Sequence, residues 1–194
     1  MQIEEIQQLW HSFYGDVPPI SHILREQFPG FWMRIHSLPK SKRYPKTPSE
    51  YSILLERHNA VATEVLGHNS NCLLLVPRYV YVGSKKKRLP RLKDSNFELF
   101  SEIKAEDEEE DYEAEDGIRR QVWCAPIIWL PHQFDFLIKT VARDRDRCLF
   151  VSVEKGEIYA PYDGGADLFL HSFERGDELK LRYKDWLSSH PVGL

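Results

Sequence analysis

The order of the elements that the sequence predicts favours a single α+β domain over residues 1–194, with a mixed, mainly antiparallel sheet packed with about four to five helices. Strands are predicted in runs and do not alternate strictly with helices, which argues against a doubly wound parallel fold. A chain of 194 residues with 42% hydrophobic and 12% aromatic residues can bury a core of its own, without a disulfide or a metal to stabilise it.

The N-terminal part is predicted to form two helices and a strand. Apolar residues at helical spacing indicate an amphipathic helix over residues 3–13. A short helix is expected over residues 21–27. The aromatic-rich residues 31–36 are bounded by turn residues, which is typical of a strand.

The clearest helix start in the chain lies at Thr47. This residue is predicted to be the N-cap, with Pro48 in the first helical position, where a missing N–H costs no hydrogen bond, and with Glu50 completing a capping box. Gly67 is predicted to end the helix. His58 falls on the apolar stripe, so we expect a hydrogen-bonded core histidine there and not an acid or a base.

The rest of the chain is predicted to form strands and two helices. Apolar, β-branched or alternating runs indicate strands at residues 72–82, 97–103, 119–129, 148–153, 157–162 and 166–170. One helix is expected to start at Pro131, and the last is expected over residues 173–189, with an ion pair between Arg182 and Asp185. An acidic insertion over about residues 104–117 separates two of the strands.

The net charge of -4 conceals an uneven distribution of charge. Residues 1–105 contain 15 basic and 10 acidic residues, whereas residues 106–194 contain 11 and 20. Nine of the acidic residues lie within residues 106–116, and without those nine negative charges the net charge of -4 becomes +5. The average charge is therefore a poor guide to partners.

Residues 34–46 form the segment in which we expect a binding function. They contain five Lys or Arg residues and no acid, and they connect a strand to the start of a helix, where unpaired backbone N–H groups favour anions. The candidate side chains for binding an anion or a partner are Arg34, His36, Lys42, Arg43 and Tyr44. The alternative is a solvated basic loop without a ligand.

Two further stretches carry charges that could bind a ligand. Asp163 and Asp167 flank two glycines and could offer carboxylates to a substrate or a metal, although Asp and Gly are also what a tight turn requires. Residues 85–93 contain six Lys or Arg residues, a composition typical of nucleic-acid contacts. Because they contain no aromatic residue for base stacking and the chain is acidic, the sequence disfavours nucleic acid as a partner.

Cofactor and metal motifs are missing from the sequence. It contains no phosphate-binding glycine pattern, no zinc-protease helix and no serine nucleophile elbow, and its eight His and three Cys residues lack zinc-ligand spacing. The sequence therefore predicts neither a cofactor nor a metal. Sparse cysteines, an N-terminus unlike a signal peptide and apolar runs too short to cross a bilayer predict a cytoplasmic protein without a membrane partner.

Residues 158–168 have the sequence Ile-Tyr-Ala-Pro-Tyr-Asp-Gly-Gly-Ala-Asp-Leu, and residues 182–187 have the sequence Arg-Tyr-Lys-Asp-Trp-Leu. This pair of stretches resembles a family of uncharacterised bacterial domains of unknown function. The resemblance implies a small α+β fold without an established activity, and it assigns no catalytic residue. Some families of this kind act as immunity or partner-binding proteins, so the resemblance also implies a protein partner.

Two functions are compatible with these observations. We expect a non-enzymatic protein-interaction domain of the immunity or adaptor type, in which charge complementarity selects the partner. The alternative is an enzyme or a sensor that binds a phosphorylated small molecule at residues 34–46. In that case the candidate side chains should converge with Asp163 or Asp167 in a concave pocket, whereas an interaction domain should present a flat charged face.

The acidic residues 106–116 are typical of a disordered, solvated loop. The uneven charge favours a second hypothesis, in which they lie over the basic residues 34–46 and 85–93 and compete with an anionic ligand. Deleting them should raise the affinity for polyanions at low salt, because the deletion removes nine negative charges. Fluorescence anisotropy of a labelled polyanion, with the full chain at the same ionic strength as reference, measures the change. Unchanged affinity would contradict the prediction.

Overall fold

The computed structural model describes residues 1–80, 88–93, 95–104 and 119–188. Within these residues, five α-helices span Ile3–Tyr14 (α1), Ser21–Gln27 (α2), Pro48–Leu66 (α3), Asp135–Val141 (α4) and Phe173–Arg182 (α5). Seven strands span Trp32–His36 (β1), Ser70–Val80 (β2), Glu98–Lys104 (β3), Arg119–Trp129 (β4), Leu149–Ser152 (β5), Ile158–Tyr162 (β6) and Gly165–Phe169 (β7). Most of the predicted acidic insertion lies outside the described residues.

The strands form one sheet in the order β1-β7-β6-β5-β2-β4-β3, and each pair of neighbours is antiparallel. The turn that joins β6 to β7 lies at Asp163 and Gly164, as the Asp-Gly pair predicts. The predicted single α+β domain with a mainly antiparallel sheet and four to five helices is therefore confirmed.

Helices cover both faces of the sheet. Helices α3, α4 and α5 pack on one face, around buried residues that include Leu54, Trp129 and Phe150. Helices α1 and α2 pack on the other face, around Trp10 and Leu24. Successive residues of β2 point into opposite layers, which explains why this strand is a continuous apolar run and does not alternate with polar residues.

The start of α3 confirms the predicted capping box. The Thr47 hydroxyl accepts a hydrogen bond from the Glu50 backbone N–H at 3.3 Å, and the Glu50 carboxylate accepts one from the Thr47 backbone N–H at 3.2 Å. The helix ends before Gly67, whose φ of 94° few other residues adopt. Because α3 packs against β5, β6 and β7, this well-defined start fixes the chain that leads into it from β1.

Helix α4 begins later than the predicted start at Pro131. Its first residue is Asp135, because His132 has a φ of 68°, which interrupts a right-handed helix. The His132 backbone N–H donates to the Asn59 side chain at 2.7 Å, so α3 holds this residue out of the helix.

The last helix is shorter than predicted. After Arg182 the chain makes a 3-10 turn that brings Leu187 into an antiparallel bridge with Ile35 of β1, and a continued helix could not form this bridge. Arg182 pairs with Glu64 of α3, at 2.6 Å, and not with Asp185 as the helical spacing predicts. The C-terminal residues therefore close the outer side of β1.

The two strands that precede the basic residues 37–46 and 88–93 in the sequence end at the same end of the sheet. β1 ends there with His36, and β2 ends there with Val80, which pairs with Arg119 at the start of β4. β3 ends with Lys104, which pairs with the same Arg119. The strands on either side of the acidic insertion therefore meet at this same end of the sheet.

Gly165 is a position at which a side chain would collide with the backbone of a neighbouring strand. A Cβ atom there would lie 1.8 Å from the Ile35 carbonyl oxygen, so Gly165→Ala must separate β7 from β1. We expect it to lower the free energy of unfolding by about 3 kcal/mol or more. Gly176→Ala, in α5, places its Cβ 3.9 Å from the nearest atom, so we expect it to raise the free energy of unfolding by about 0.5–1 kcal/mol. Urea denaturation of both variants measures the change in the free energy of unfolding. Equal changes in the two variants would contradict the register of β1 on β7.

Candidate functional site

The residues that the sequence singled out come together where β1 ends and β7 begins. Arg34 in β1 lies opposite Asp167 in β7. Residues 37–46, called the basic loop from here on, follow β1 and begin with Ser37, whose N–H donates to the Gly164 carbonyl in the β6–β7 turn at 2.9 Å. The candidates are thus neighbours, and several of them bind one another.

Asp167 is the centre of a buried hydrogen-bond cluster. Arg34 donates to it twice, from Nε to Oδ1 at 2.7 Å and from Nη2 to Oδ2 at 3.0 Å. Trp32 Nε1 donates to Oδ1 at 2.9 Å, and the Ser21 hydroxyl at the start of α2 donates to Oδ2 at 3.1 Å. Asp167 is only 4% exposed, and the Arg34 guanidinium lies 4.5 Å from the centre of the Tyr162 ring. The two charges therefore neutralise each other inside the protein.

Asp163 holds the basic loop onto the β6–β7 turn. Its Oδ2 accepts hydrogen bonds from Arg43 Nε and from the Tyr44 hydroxyl, each at 2.7 Å. Burial favours the neutral carboxyl, but the two hydrogen bonds and the charge of Arg43 outweigh it and lower the pKa of Asp163. The bond to Asp163 uses Nε of Arg43. The two Nη atoms form no hydrogen bond to a described residue, and the side chain is 63% exposed.

Further contacts fix the second half of the basic loop. Lys42 forms an ion pair with Glu50 of α3, and the Lys46 backbone N–H donates to the same carboxylate at 2.7 Å. At the tip, Lys40 and Ser41 have φ values of 58° and 52°, a conformation that residues with a Cβ adopt only when their surroundings impose it. The loop therefore presents its cations in a defined backbone conformation.

His36 is poorly placed to bind an anion. Its Nε2 is buried and has no hydrogen-bond partner among the described residues. Burial, followed by the positive charges of Arg34 and Arg57, lowers the pKa of His36 below its usual value. The imidazole is therefore neutral at physiological pH.

His58 confirms the prediction of a hydrogen-bonded core histidine. Its Nε2 lies 2.7 Å from the Ser37 hydroxyl and its Nδ1 lies 2.6 Å from the Tyr159 hydroxyl. Burial lowers the pKa of His58 to about 3. A serine next to a histidine resembles a nucleophile and its base, but all three side chains are fully buried, so no substrate reaches them. This chain of hydrogen bonds anchors the start of the basic loop to the core.

A second cluster, of which the sequence indicated only the basic half within residues 85–93, lies between residues 88–93 and α4. The two segments line a groove of about 580 Å³, called the groove from here on. Arg88, Arg91 and Lys93 line it together with Phe136, whose side chain is 84% exposed. The signal for it in the sequence is that Phe136 lies off the apolar stripe of α4, where a helix normally carries polar residues.

A family model described as "Domain of unknown function (DUF3885)" matches residues 20–191. The chain belongs to the DUF3885 family. The assignment confirms the resemblance to domains of unknown function, and it names no activity and no functional residue. Comparison with curated proteins and with solved structures gives no match.

The described part of this DUF3885 domain shows no group of three or more side chains arranged to hold a metal ion. Asp163 and Asp167, the two carboxylates considered for such a role, bind Arg43 and Arg34 instead. Among the described helices, none combines the length and the apolar character that a membrane span requires.

Arg34 and Arg43 should differ in their contribution to the stability of the DUF3885 domain. Arg34→Ala leaves the buried carboxylate of Asp167 without its counter-charge, so we expect the free energy of unfolding to fall by about 3 kcal/mol or more. Arg43→Ala should cost much less, because its side chain is 63% exposed and water can replace it. Urea denaturation of the two variants measures the difference. Similar losses would contradict the division into one structural and one exposed arginine.

Proposed function

We propose that this DUF3885 domain is a non-enzymatic domain that binds a partner protein through the basic loop, as an immunity or adaptor protein of the bacterial cytoplasm. The observation that carries the proposal is the exposure of cations on a loop that is held through its backbone at both ends and through the Arg43 side chain in the middle. A loop that is already ordered loses little conformational entropy on binding, so more of its interaction energy contributes to affinity.

Arg43 and Tyr44 are the residues of the loop best suited to anchor a partner. Arginine and tyrosine are enriched among the residues that dominate binding energy at protein interfaces. Asp163 orients the Arg43 guanidinium through Nε. Both Nη atoms are left available to a carboxylate of the partner. Tyr44 is 44% exposed, so its ring can be covered by a partner while its hydroxyl stays bonded to Asp163.

The same contacts weigh against the alternative, a site for a phosphorylated small molecule. Arg34, which would be the principal phosphate ligand, uses its Nε and Nη2 atoms on Asp167 and has a side chain only 14% exposed. His36 is neutral, and Asp163 and Asp167 would repel a phosphate that approached both arginines. The geometry therefore favours a contact surface over a phosphate site.

Charge reversal in the basic loop tests the proposal. Lys40→Glu with Lys46→Glu changes two exposed cations without breaking an ion pair among the described residues. Lys180→Glu with Lys184→Glu, which removes only the exposed pair of Lys180 with Asp177 at 3.9 Å, is the control on the C-terminal side of the molecule. A protein cross-linked to the full chain in a bacterial lysate is identified, purified and titrated against each variant. We expect the loop variant to bind about tenfold more weakly and the control to bind as the parent does.

Two results would contradict the proposed function. One is a partner that binds the loop variant and the control equally well. The other is a thermal stabilisation of several degrees by a nucleotide or a sugar phosphate that disappears in Arg43→Ala, which would favour the small-molecule site instead.

A further inference from the structure

The groove differs from the basic loop in combining positive charge with exposed apolar surface. Its cations come from residues 88–93, and its apolar lining comes from that segment and from α4, with Leu89, Leu92 and Leu137 among the lining residues. Phe136 stands at its edge with 84% of its surface exposed. Leu89 and Leu92 are partly buried and Leu137 is buried, so Phe136 supplies most of the exposed apolar surface among the described lining residues. A large exposed apolar side chain at the edge of a concave surface is typical of an interaction site.

The charge of the groove is positive because its acidic residue is already paired. Asp146 lines the groove, but it accepts hydrogen bonds from Arg78 Nη1 at 2.7 Å and from Arg78 Nη2 at 3.3 Å, and the pair is buried. Arg88, Arg91 and Lys93 form no ion pair with another described residue. Their three charges are therefore available to an anionic group in the groove.

The same buried pair gives the groove a defined shape. Besides binding Asp146, Arg78 Nη2 donates to the Arg88 backbone carbonyl at 3.3 Å. This bond ties the start of the segment 88–93 to the chain that leads out of α4. Thr140 donates its hydroxyl to the Phe136 carbonyl at 2.8 Å, so the helix side is ordered as well. A groove that exists before binding needs no rearrangement to accept a ligand.

We propose that the groove binds a segment of a partner protein that carries large apolar side chains beside acidic ones. This inference rests on the proposed function as a protein-binding domain and adds the chemistry of the segment. The exposed ring of Phe136, beside the partly buried Leu89 and Leu92, accepts apolar side chains of a peptide, while Arg88, Arg91 and Lys93 face its carboxylates. The groove lacks a second exposed aromatic ring among its described residues, and stacking of successive bases requires several, so a peptide fits better than nucleic acid.

Selection from a phage-displayed library of random peptides against the full chain tests the inference, and it does not require that the partner be identified first. We expect enriched peptides to contain both acids and large apolar residues. Fluorescence anisotropy of the enriched peptides should show about tenfold weaker binding to Arg88→Glu with Arg91→Glu, and to Phe136→Ala. Lys180→Glu with Lys184→Glu is again the control. All the substituted side chains are exposed, and a thermal melt of each variant confirms that it folds.

Three outcomes would overturn the inference. They are a selection that enriches nothing, enriched peptides that lack acids, and peptides whose affinity is the same for the groove variants and the control. A labelled oligothymidylate provides a further comparison: tighter binding than the peptides, lost in the same groove variants, would assign the groove to nucleic acid.

The inference and the proposed function can fail separately. Peptides that bind the groove should retain their affinity for Lys40→Glu with Lys46→Glu, because the basic loop lies outside the groove. A cross-linked partner that depends on the basic loop, together with a selection that yields no groove peptide, would leave the proposed function standing and remove the inference. Peptides that bind the groove, without a partner that depends on the basic loop, would support the inference and contradict the proposed role of the basic loop.

Discussion

The carboxylate of Asp167 is the constraint on which the exposed surface of this domain depends. A buried charge is costly unless it is paired and hydrogen-bonded, and Asp167 obtains its donors from β1 and from the start of α2. β1 is an outer strand, held by its pairing with β7 and by a single bridge to Leu187. The ion pair between Arg34 and Asp167 therefore helps to fix the strand from which the basic loop extends.

Acidic residues arrange the basic ones at this end of the sheet. Asp163 orients Arg43, and Asp146 orients Arg78, which in turn holds the backbone at Arg88. In each case the carboxylate is buried and one arginine satisfies it, so the acid contributes order and little charge to the surface. Apart from Arg43, whose side chain is 63% exposed, the cations left at the surface of the basic loop and of residues 88–93 are those without such a partner. A count of basic residues in a segment therefore overestimates the charge that a ligand meets.

Local signals in the sequence predict the helices and strands, whereas the candidate site is formed by residues that are distant in the sequence. The capping box at Thr47 and Glu50 lies within four residues, so the sequence reveals it directly. Arg34 and Asp167 are 133 residues apart, and no local pattern shows that they bind each other and not a ligand. The groove is hidden for the same reason, since Phe136 and Arg91 are 45 residues apart in the sequence and come together only in the folded chain.

The positions of the charged and apolar surfaces imply different roles in the proposed complex. Exposed cations of the basic loop act over a screening length of about 8 Å at physiological salt, so they attract an acidic partner before contact. The apolar side chains of the groove act only on contact, and burying Phe136 removes apolar surface from water. Electrostatic attraction mainly changes the association rate, whereas buried contacts mainly change the dissociation rate. On this proposal the basic loop sets how fast a partner is captured, and the groove sets how long it stays bound.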